Sequence, residues 1–373
     1  MKTLRVEQLE GTGTRIKILV RAPNWIGDAV MCLPALRELR RVLPQAQLVL
    51  LARPWVSEVF PLDELRCRLI AYDTRGQHRG LLGRWRMAAH LRREGFAAAI
   101  LFQNALDAAV LTALSGIPIR AGYARQGRGP LLTHPVAVPR RGEIPAHEAH
   151  YYLELLRRLG LISQFSEVRQ ILLPATEPSR TSARERIEKL LGQETSLPAG
   201  WKSKGGLLVG ISPGASFGTA KRWPAERFAE LARRLNEQWG AISIFFGSPE
   251  ERPLVESILP KAGKAALSLA GKTSLTEFIR LVQGCDLYVT NDTGTMHVVA
   301  ALGVPTLAIF GPTDEQGTRP LGPRVELLVG TAECHPCKLR HCPIDHRCMT
   351  SISVEDVLHA AQSCLPQGQV AAQ

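Results

Sequence analysis

The sequence lacks the features that mark membrane-spanning, secreted or repetitive proteins. No apolar stretch approaches the ~18 residues of a membrane-spanning helix. Residues 1–15 hold no apolar segment of the kind that a secretory signal requires, so we expect a cytoplasmic protein. The chain also has no low-complexity segment and no internal repeat with a period of roughly 20–50 residues. A globular protein is therefore the starting hypothesis.

Carboxylates are scarce relative to basic residues. The chain has 34 Asp and Glu against 46 Lys and Arg, which gives a formal net charge of +12. Such a charge favours anionic partners, whether nucleic acid, an acidic membrane surface or a phosphorylated substrate. Aromatic residues are sparse among the clustered arginines of the first half and no nucleic-acid-binding motif matches, so a phosphorylated ligand or a solvated face explains these arginines at least as well. They are Arg75, Arg79, Arg84, Arg86, Arg120, Arg125, Arg128, Arg140 and Arg141.

Apolar runs and amphipathic stretches alternate along the 373 residues in a pattern that predicts two α/β domains. The predicted strands are 16–21, 48–51, 97–101, 207–211, 241–246, 286–290 and 306–310, and the predicted helices are 28–41, 81–94, 151–159, 180–191, 225–238, 275–283 and 295–302. Pro34 lies inside the first predicted helix, where it would kink the helix or remove a hydrogen bond.

Strands that alternate with helices indicate parallel sheets covered on both faces, and two such series indicate paired Rossmann-like domains. Ligands of these sheets bind beyond the carboxyl ends of the strands, so we expect a site in a cleft between two facing sheets. The boundary is expected within 164–178, which gives domains of 1–170 and 171–373. Packing of the C-terminal helix against the first domain is compatible with this division.

The first candidate motif follows the first predicted strand and reads Arg21-Ala22-Pro23-Asn24-Trp25-Ile26-Gly27-Asp28. Gly27 permits a tight turn or the close approach of a ligand. Asp28 either caps the following helix or serves as a general base at the carboxyl edge of the sheet. The sequence leaves both interpretations of Asp28 open.

The second motif follows the predicted strand 207–211 and reads Ser212-Pro213-Gly214-Ala215-Ser216-Phe217-Gly218-Thr219-Ala220-Lys221-Arg222-Trp223-Pro224. Its hydroxyl groups, glycine N–H groups and cations suit a departing pyrophosphate, on which negative charge develops. The spacing differs from that of a P-loop. The alternative is a solvated loop before a helix that starts near Trp223-Pro224.

The third motif runs from a predicted strand into a helix and reads Thr290-Asn291-Asp292-Thr293-Gly294-Thr295-Met296-His297. The N–H groups at such a helix start form an anion site. Ordinary capping by Asp292 or Thr293 is the alternative. For His297 we favour a core or surface histidine over a catalytic one.

A pair of acidic residues, Glu250 and Glu251, follows the predicted strand 241–246. A carboxylate in this position either binds ribose hydroxyls, as in dinucleotide folds, or stabilises the first turn of a helix.

Four clustered cysteines follow the spacing C-x2-C-x4-C-x5-C: Cys334, Cys337, Cys342 and Cys348. Four thiolates can hold a tetrahedral zinc ion, which would be structural because no position stays open for a substrate. The spacings are shorter than in common zinc ribbons, and reduced thiols in a loop are the alternative.

Taken together, these motifs resemble the ADP-heptose:lipopolysaccharide heptosyltransferases (glycosyltransferase family 9), over nearly the whole chain from about residue 16 to 358. The resemblance lies in the first three motifs and in the run Leu307-Ala308-Ile309-Phe310-Gly311-Pro312-Thr313. It implies a GT-B fold, inversion at the anomeric carbon and no catalytic metal or other required cofactor. It also implies ADP-L-glycero-D-manno-heptose as donor and, as acceptor, the first heptose of the lipopolysaccharide inner core on Kdo2–lipid A, at the cytoplasmic face of the inner membrane.

The resemblance carries roles to individual residues. It makes Asp28 the base and Lys221 the residue that stabilises the phosphates, with Asn24, Trp25 and Gly27 near the acceptor. The donor would contact Ser216, Asp292, Thr293, Gly294, Thr295 and either Glu250 or Glu251. The leader 1–15 and the stretch 162–206 carry no signature of the family, and the sequence does not indicate an oligomeric state. A transferase with another acceptor or nucleotide sugar, and a basic nucleic-acid-binding protein, are the alternatives.

Overall fold

The computed structural model describes Leu4, residues 16–191 and residues 206–365. The remainder of the leader 1–15 lies outside the described residues. The chain divides into two compact units, Met1–Ile171 and Leu172–Gln373. Both are α/β units, so the predicted fold class is confirmed.

The first unit contains a six-stranded parallel sheet in the order β3-β2-β1-β4-β5-β6. Its strands are β1 (Lys17–Arg21), β2 (Gln47–Ala52), β3 (Arg68–Ala71), β4 (Ala98–Leu101), β5 (Ile119–Tyr123) and β6 (His134–Val136). The helices are α1 (Ile26–Met31), α2 (Leu33–Val42), α3 (Pro54–Ser57), α4 (Leu62–Leu65), α5 (Gly80–Glu94), α6 (Leu106–Leu114) and α7 (Glu148–Arg158). The central strands are continuous aliphatic runs because helices cover both faces of the sheet.

One prediction for the first unit is wrong. The single helix expected over 28–41 is two helices, α1 and α2, which meet at Cys32. Pro34 lies in the first turn of α2, where its missing N–H would have had no acceptor within the helix. Proline therefore helps to start a second helix instead of kinking one long helix.

The second unit repeats the design with a parallel sheet in the order β12-β11-β10-β7-β8-β9. Its strands are β7 (Leu208–Ser212), β8 (Ile242–Phe245), β9 (Ala266–Ser268), β10 (Leu287–Asn291), β11 (Thr306–Phe310) and β12 (Val325–Val329). The helices are α8 (Arg180–Leu191), α9 (Ala225–Trp239), α10 (Arg252–Ala262), α11 (Leu275–Val282), α12 (Gly294–Ala301), α13 (Glu315–Thr318), α14 (Arg347–Thr350) and α15 (Val354–Cys364). Helix α15 packs on α9, β11 and β12, and its apolar residues join the core of this unit.

Both sheets have the same topology when each is counted from its own first strand. That first strand lies beside the second strand on one side and the fourth strand on the other. Chain connections leave the two central strands in opposite directions, which opens a crevice at their carboxyl ends. The crevices lie between β1 and β4 in the first unit and between β7 and β10 in the second. No described helix has both the length and the hydropathy needed to cross a membrane.

Candidate functional site

The crevice of the second unit is built from the loops that follow β7 and β10, joined by the buried Asn291. The Asn291 amide nitrogen donates to the carbonyl of Pro213 at 2.8 Å, and its Oδ1 accepts from the backbone N–H of Trp223 at 3.0 Å. One side chain therefore fixes both ends of the loop 213–223. The second and third sequence motifs meet at this point.

The cation of that loop, Lys221, contacts the third motif directly. Its Nζ lies 2.5 Å from Oδ2 of Asp292, and both side chains are largely buried. The same oxygen accepts from the Thr313 hydroxyl at 2.6 Å, and Thr313 follows β11. Asp292 does not cap helix α12, so the capping interpretation of its side chain is wrong. Its carboxylate holds the lysine beside the carboxyl ends of β7 and β10.

Helix α12 begins beside this ion pair. The N-cap residue is Thr293, whose side chain makes no capping hydrogen bond. The Thr293 hydroxyl instead bonds to the Thr295 hydroxyl at 2.7 Å. Because no side chain caps the helix, N–H groups of its first turn stay available to an anion. His297 is buried, which agrees with the interpretation as a core residue.

The acidic pair after β8 separates into two environments. Glu250 is exposed, whereas the Glu251 carboxylate lies over Gly214, so closely that a Cβ at Gly214 would come within 2.0 Å of Oε1. Glu251 also closes a capping box with Ser248, whose N–H it accepts at 2.9 Å. Both glutamates lie in the first turn of a short helix, and the ribose contact stays a prediction. The Glu251 carboxylate nevertheless borders the loop 213–223, whereas Glu250 is exposed.

The cysteine-rich segment supports the same loop from another side. The Ala220 N–H donates to the carbonyl of Arg340 at 3.0 Å, and the Ala220 carbonyl accepts from Nε2 of His346 at 2.6 Å. Gly218 packs against Arg340 so tightly that a Cβ would lie 2.2 Å from the carbonyl oxygen. The segment that carries the cysteines thus helps to position the loop before Lys221.

The four clustered cysteines have free thiols. The neighbouring thiols Cys334, Cys337 and Cys342 contribute to a raised pKa at Cys348, after the larger effect of burial. In the parts of the chain that the structure describes, no group of three or more His, Cys, Asp or Glu is arranged to hold a metal. Structural zinc at the cysteine cluster stays a prediction.

In the first unit, Asp28 lies in the first turn of α1, at the carboxyl end of β1. The N-cap is Trp25, so Asp28 does not cap the helix, and Gly27 is a helical residue instead of a tight turn. Burial raises the pKa of Asp28 to about 6, and the Glu148 carboxylate at the start of α7 adds to the rise. A carboxylate with such a pKa can accept a proton near neutral pH.

The residues before Asp28 are organised by the buried Arg21. Its guanidinium donates to Oδ1 of Asn24 at 2.7 Å and to the Leu51 carbonyl at 3.1 Å. The Asn24 carbonyl accepts from the Trp55 indole at 3.0 Å, and the Trp25 side chain is 58% exposed. Asn24 is therefore a structural contact of Arg21, and Trp25 offers an open aromatic face.

Three polar residues at this edge were missed by sequence analysis: Arg53, Tyr72 and Asp107. Arg53 follows β2, stacks on the Tyr72 ring at 4.4 Å and lies 3.5 Å from the Asp107 carboxylate. The Tyr72 hydroxyl and Nε of Arg21 are buried with no hydrogen-bond partner among the described residues. Since an unpaired buried polar group costs about 1–3 kcal/mol, such groups are typical of ligand sites. Arg53 directly follows β2 and Tyr72 directly follows β3, which was the signal available in the sequence, whereas Asp107 lies in the first turn of α6.

Two of the clustered arginines serve the fold. Arg128 is fully buried and donates to the Tyr123 carbonyl at 2.8 Å, and Arg120 donates to the Leu131 carbonyl at 2.8 Å. Arg128 is therefore not part of a solvated face, and Arg120, which is half-buried, uses part of its guanidinium to hold the loop carbonyls.

Known proteins are similar to this chain in both sequence and fold. A family model described as glycosyltransferase family 9 (heptosyltransferase) matches residues 84–347. Lipopolysaccharide heptosyltransferase 2 of Escherichia coli is 31% identical over 324 residues, which cover 84% of this chain and 88% of that protein. Lipooligosaccharide heptosyltransferase 2 of Haemophilus influenzae is 29% identical over 323 residues, with 84% and 88% covered.

A solved structure extends the comparison to the fold. The structure of E. coli ADP-heptose lipopolysaccharide heptosyltransferase II has a TM-score of 0.74 to this chain at 26% identity, and the match covers 95% of this chain and 100% of the other. The resemblance inferred from the motifs is confirmed: the chain belongs to glycosyltransferase family 9, the heptosyltransferases.

Proposed function

We propose that this enzyme moves L-glycero-D-manno-heptose from ADP-heptose to the first heptose of the lipopolysaccharide inner core on Kdo2–lipid A, with release of ADP. This is the reaction of a heptosyltransferase II. The proposed binding of the donor is supported by the crevice between β7 and β10, where Lys221 lies beside the uncapped start of α12. A diphosphate placed there would meet a cation and free N–H groups together.

The proposed mechanism is a single displacement with inversion. An acceptor hydroxyl oxygen attacks the anomeric carbon while the bond from that carbon to the β-phosphate oxygen breaks. Asp28 takes the hydroxyl proton, which its pKa of about 6 allows above that pH. Lys221, the Ser216 hydroxyl and the N–H groups of Gly294 and Thr295 stabilise the charge that develops on the departing ADP.

The remaining site residues divide between the two substrates. Glu251, which borders Gly214, is the better placed of the acidic pair for the ribose hydroxyls. Asn24, Trp25 and Gly27 line the acceptor side with Arg21 and Arg53, whose charges suit the anionic inner core. The acceptor is a lipid, so the reaction takes place at the inner-membrane surface. No nucleic acid takes part in this proposal.

The decisive experiment offers ADP-heptose with a series of acceptors that carry no heptose or one heptose. Transfer only onto the acceptor with one heptose supports the proposal. Transfer onto the heptose-free acceptor supports a heptosyltransferase I instead. Salt-dependent binding to DNA or RNA without ADP binding would support the nucleic-acid alternative.

The proposed mechanism uses no cofactor or metal. Structural zinc at Cys334, Cys337, Cys342 and Cys348 is a separate proposal, which rests on four thiols in a short segment. Elemental analysis of the reduced protein tests it. Stoichiometric zinc that is lost in the Cys337→Ser variant would support it, and protein purified without zinc would contradict it.

A further inference from the structure

The first turns of helix α5 expose three large apolar side chains. Leu81 is 82% exposed, Leu82 is 74% exposed and Trp85 is 66% exposed. Burying these groups would gain free energy, so their exposure at the surface needs a reason. Contiguous exposed apolar groups generally mark a surface that binds another protein, a membrane or a ligand.

The neighbouring helix α6 also exposes apolar side chains. Leu106, Val110 and Leu114 are 46%, 37% and 55% exposed, and their spacing of four residues places them on one helix face. Helices α5 and α6 pack together, and Nε of Arg84 lies 3.3 Å from Oδ1 of Asp107, which joins their first turns. We call the six exposed apolar side chains of both helices the α5–α6 surface.

The charge on and before helix α5 is positive. Residues 74–93 contain no Asp or Glu and include Arg75, Arg79, Arg84, Arg86, Arg92 and Arg93. Arg75, Arg79 and Arg86 are exposed. Leucine and tryptophan flanked by arginine are typical of segments that lie in the headgroup region of an anionic bilayer. The positive charge favours an anionic partner, and the exposed leucines and tryptophan beside it favour the boundary between headgroups and acyl chains of an anionic bilayer.

The α5–α6 surface also lies at a functional edge. Helix α5 follows β3 and helix α6 follows β4, so both begin at the carboxyl ends of parallel strands. Arg53 and Tyr72 lie at that same edge, and Arg53 is paired with Asp107 of α6. A lipid-anchored acceptor would reach the edge from a bilayer in contact with these helices.

We propose that the α5–α6 surface docks the protein on an anionic phospholipid bilayer. Leu81, Leu82 and Trp85 enter the boundary between headgroups and acyl chains, while Arg79 and Arg86 contact lipid phosphates. This proposal rests on the proposed function in one respect: transfer to a lipid-linked acceptor gives the protein a reason to dock on a bilayer. Binding to the bilayer itself needs neither donor nor acceptor.

The test is sedimentation of the full-length protein with vesicles of phosphatidylglycerol and phosphatidylethanolamine, without substrates. The expected result is binding that weakens on the order of tenfold in Leu81→Ser/Leu82→Ser and similarly in Arg79→Glu/Arg86→Glu. Matched controls are Leu172→Ser/Leu190→Ser, at side chains 48% and 38% exposed in the second unit, and Arg169→Glu/Arg252→Glu, at exposed arginines. Quenching by brominated lipid should be smaller in Trp85→Phe than in the wild type.

Binding that is the same in both test variants and their controls would overturn the docking proposal. A dimer in the wild type that Leu81→Ser/Leu82→Ser abolishes, without vesicle binding, would assign the surface to a second copy of the chain. Transfer to a deacylated, water-soluble acceptor is expected to be unchanged in the variants. Vesicle binding that depends on the α5–α6 surface in a protein inactive on every acceptor would keep the docking proposal and reject the proposed function.

Discussion

The Nζ atom of Lys221 lies 2.5 Å from Oδ2 of Asp292, across 71 residues of sequence. The contact joins the loops after β7 and β10, the two neighbouring strands whose chain connections run in opposite directions. An arriving diphosphate would share the lysine with this carboxylate, which holds the cation in place beforehand. Preorganised charge of this kind stabilises a leaving group without reorganisation during the reaction.

Lys221→Ala should lower kcat/KM on the order of a hundredfold, as the loss of one charge-stabilising donor usually does. Steady-state kinetics with varied ADP-heptose measure the effect, and the exposed Lys272→Ala is the control. Because Asp292 acts through Lys221, the effects of Asp292→Asn and Lys221→Ala should not add. Additive effects would contradict the coupling.

Asp28→Asn should reduce kcat by roughly 10²–10⁴-fold, the range for loss of a general base. ADP binding, measured by calorimetry, should be unchanged because the amide keeps the shape of the side chain. The control is Asp63→Asn, another aspartate in the first turn of a helix. Comparable activity in both variants would reject Asp28 as the base.

The pH dependence follows from the pKa of Asp28, raised to about 6 by burial and by Glu148. The value of kcat/KM should fall as pH drops through about 6, because the base becomes protonated. Glu148→Gln removes a like charge, so the acid limb should move to lower pH. An unmoved limb would show that another group controls it.

The raised pKa of Asp28 also makes the stability of the fold depend on pH. A carboxyl whose folded pKa lies above its unfolded value opposes folding when ionised, so the cost is full above pH 6 and disappears below about 4. Asp28→Asn should therefore raise Tm at pH 8, and the gain should shrink as pH falls from 6 towards 4. Equal gains at pH 8 and pH 5 would contradict the assigned pKa.

The two glutamates after β8 should respond differently. Glu251→Gln should raise the KM for ADP-heptose because its carboxylate borders Gly214, whereas Glu250→Gln should have little effect. Gly214→Ala should also raise this KM, since its methyl group would collide with Glu251. Equal effects of the two glutamine variants would leave the ribose contact unassigned to either.

Asn291→Leu should weaken both folding and donor binding. The variant leaves the buried carbonyl of Pro213 and the N–H of Trp223 without this partner, at about 1–3 kcal/mol for each unsatisfied group. Denaturant unfolding and the KM for ADP-heptose measure the two effects. A stable variant with an unchanged KM would show that Asn291 does not fix the loop.

The strands and loops of the site were predictable because their signals are local. A buried strand such as β1 or β7 is an uninterrupted aliphatic run, and a loop rich in Gly, Ser and Lys that follows it belongs at the carboxyl edge. Short strands were missed where the run is broken. Strand β5 contains Arg120 and Gly122, and the edge strand β6 contains Pro135, which donates no hydrogen bond.

The sequence by itself determined the fold class and the family and indicated the loops proposed to carry the chemistry, because the signals for each lie in short runs of consecutive residues. Only the tertiary structure decided which side chains meet. Strand order brings Lys221 to Asp292 and Glu251 to Gly214, and burial beside α7 raises the pKa of Asp28. These properties depend on residues that are far apart in the sequence and close in space. A sequence pattern does not show which distant residues come into contact.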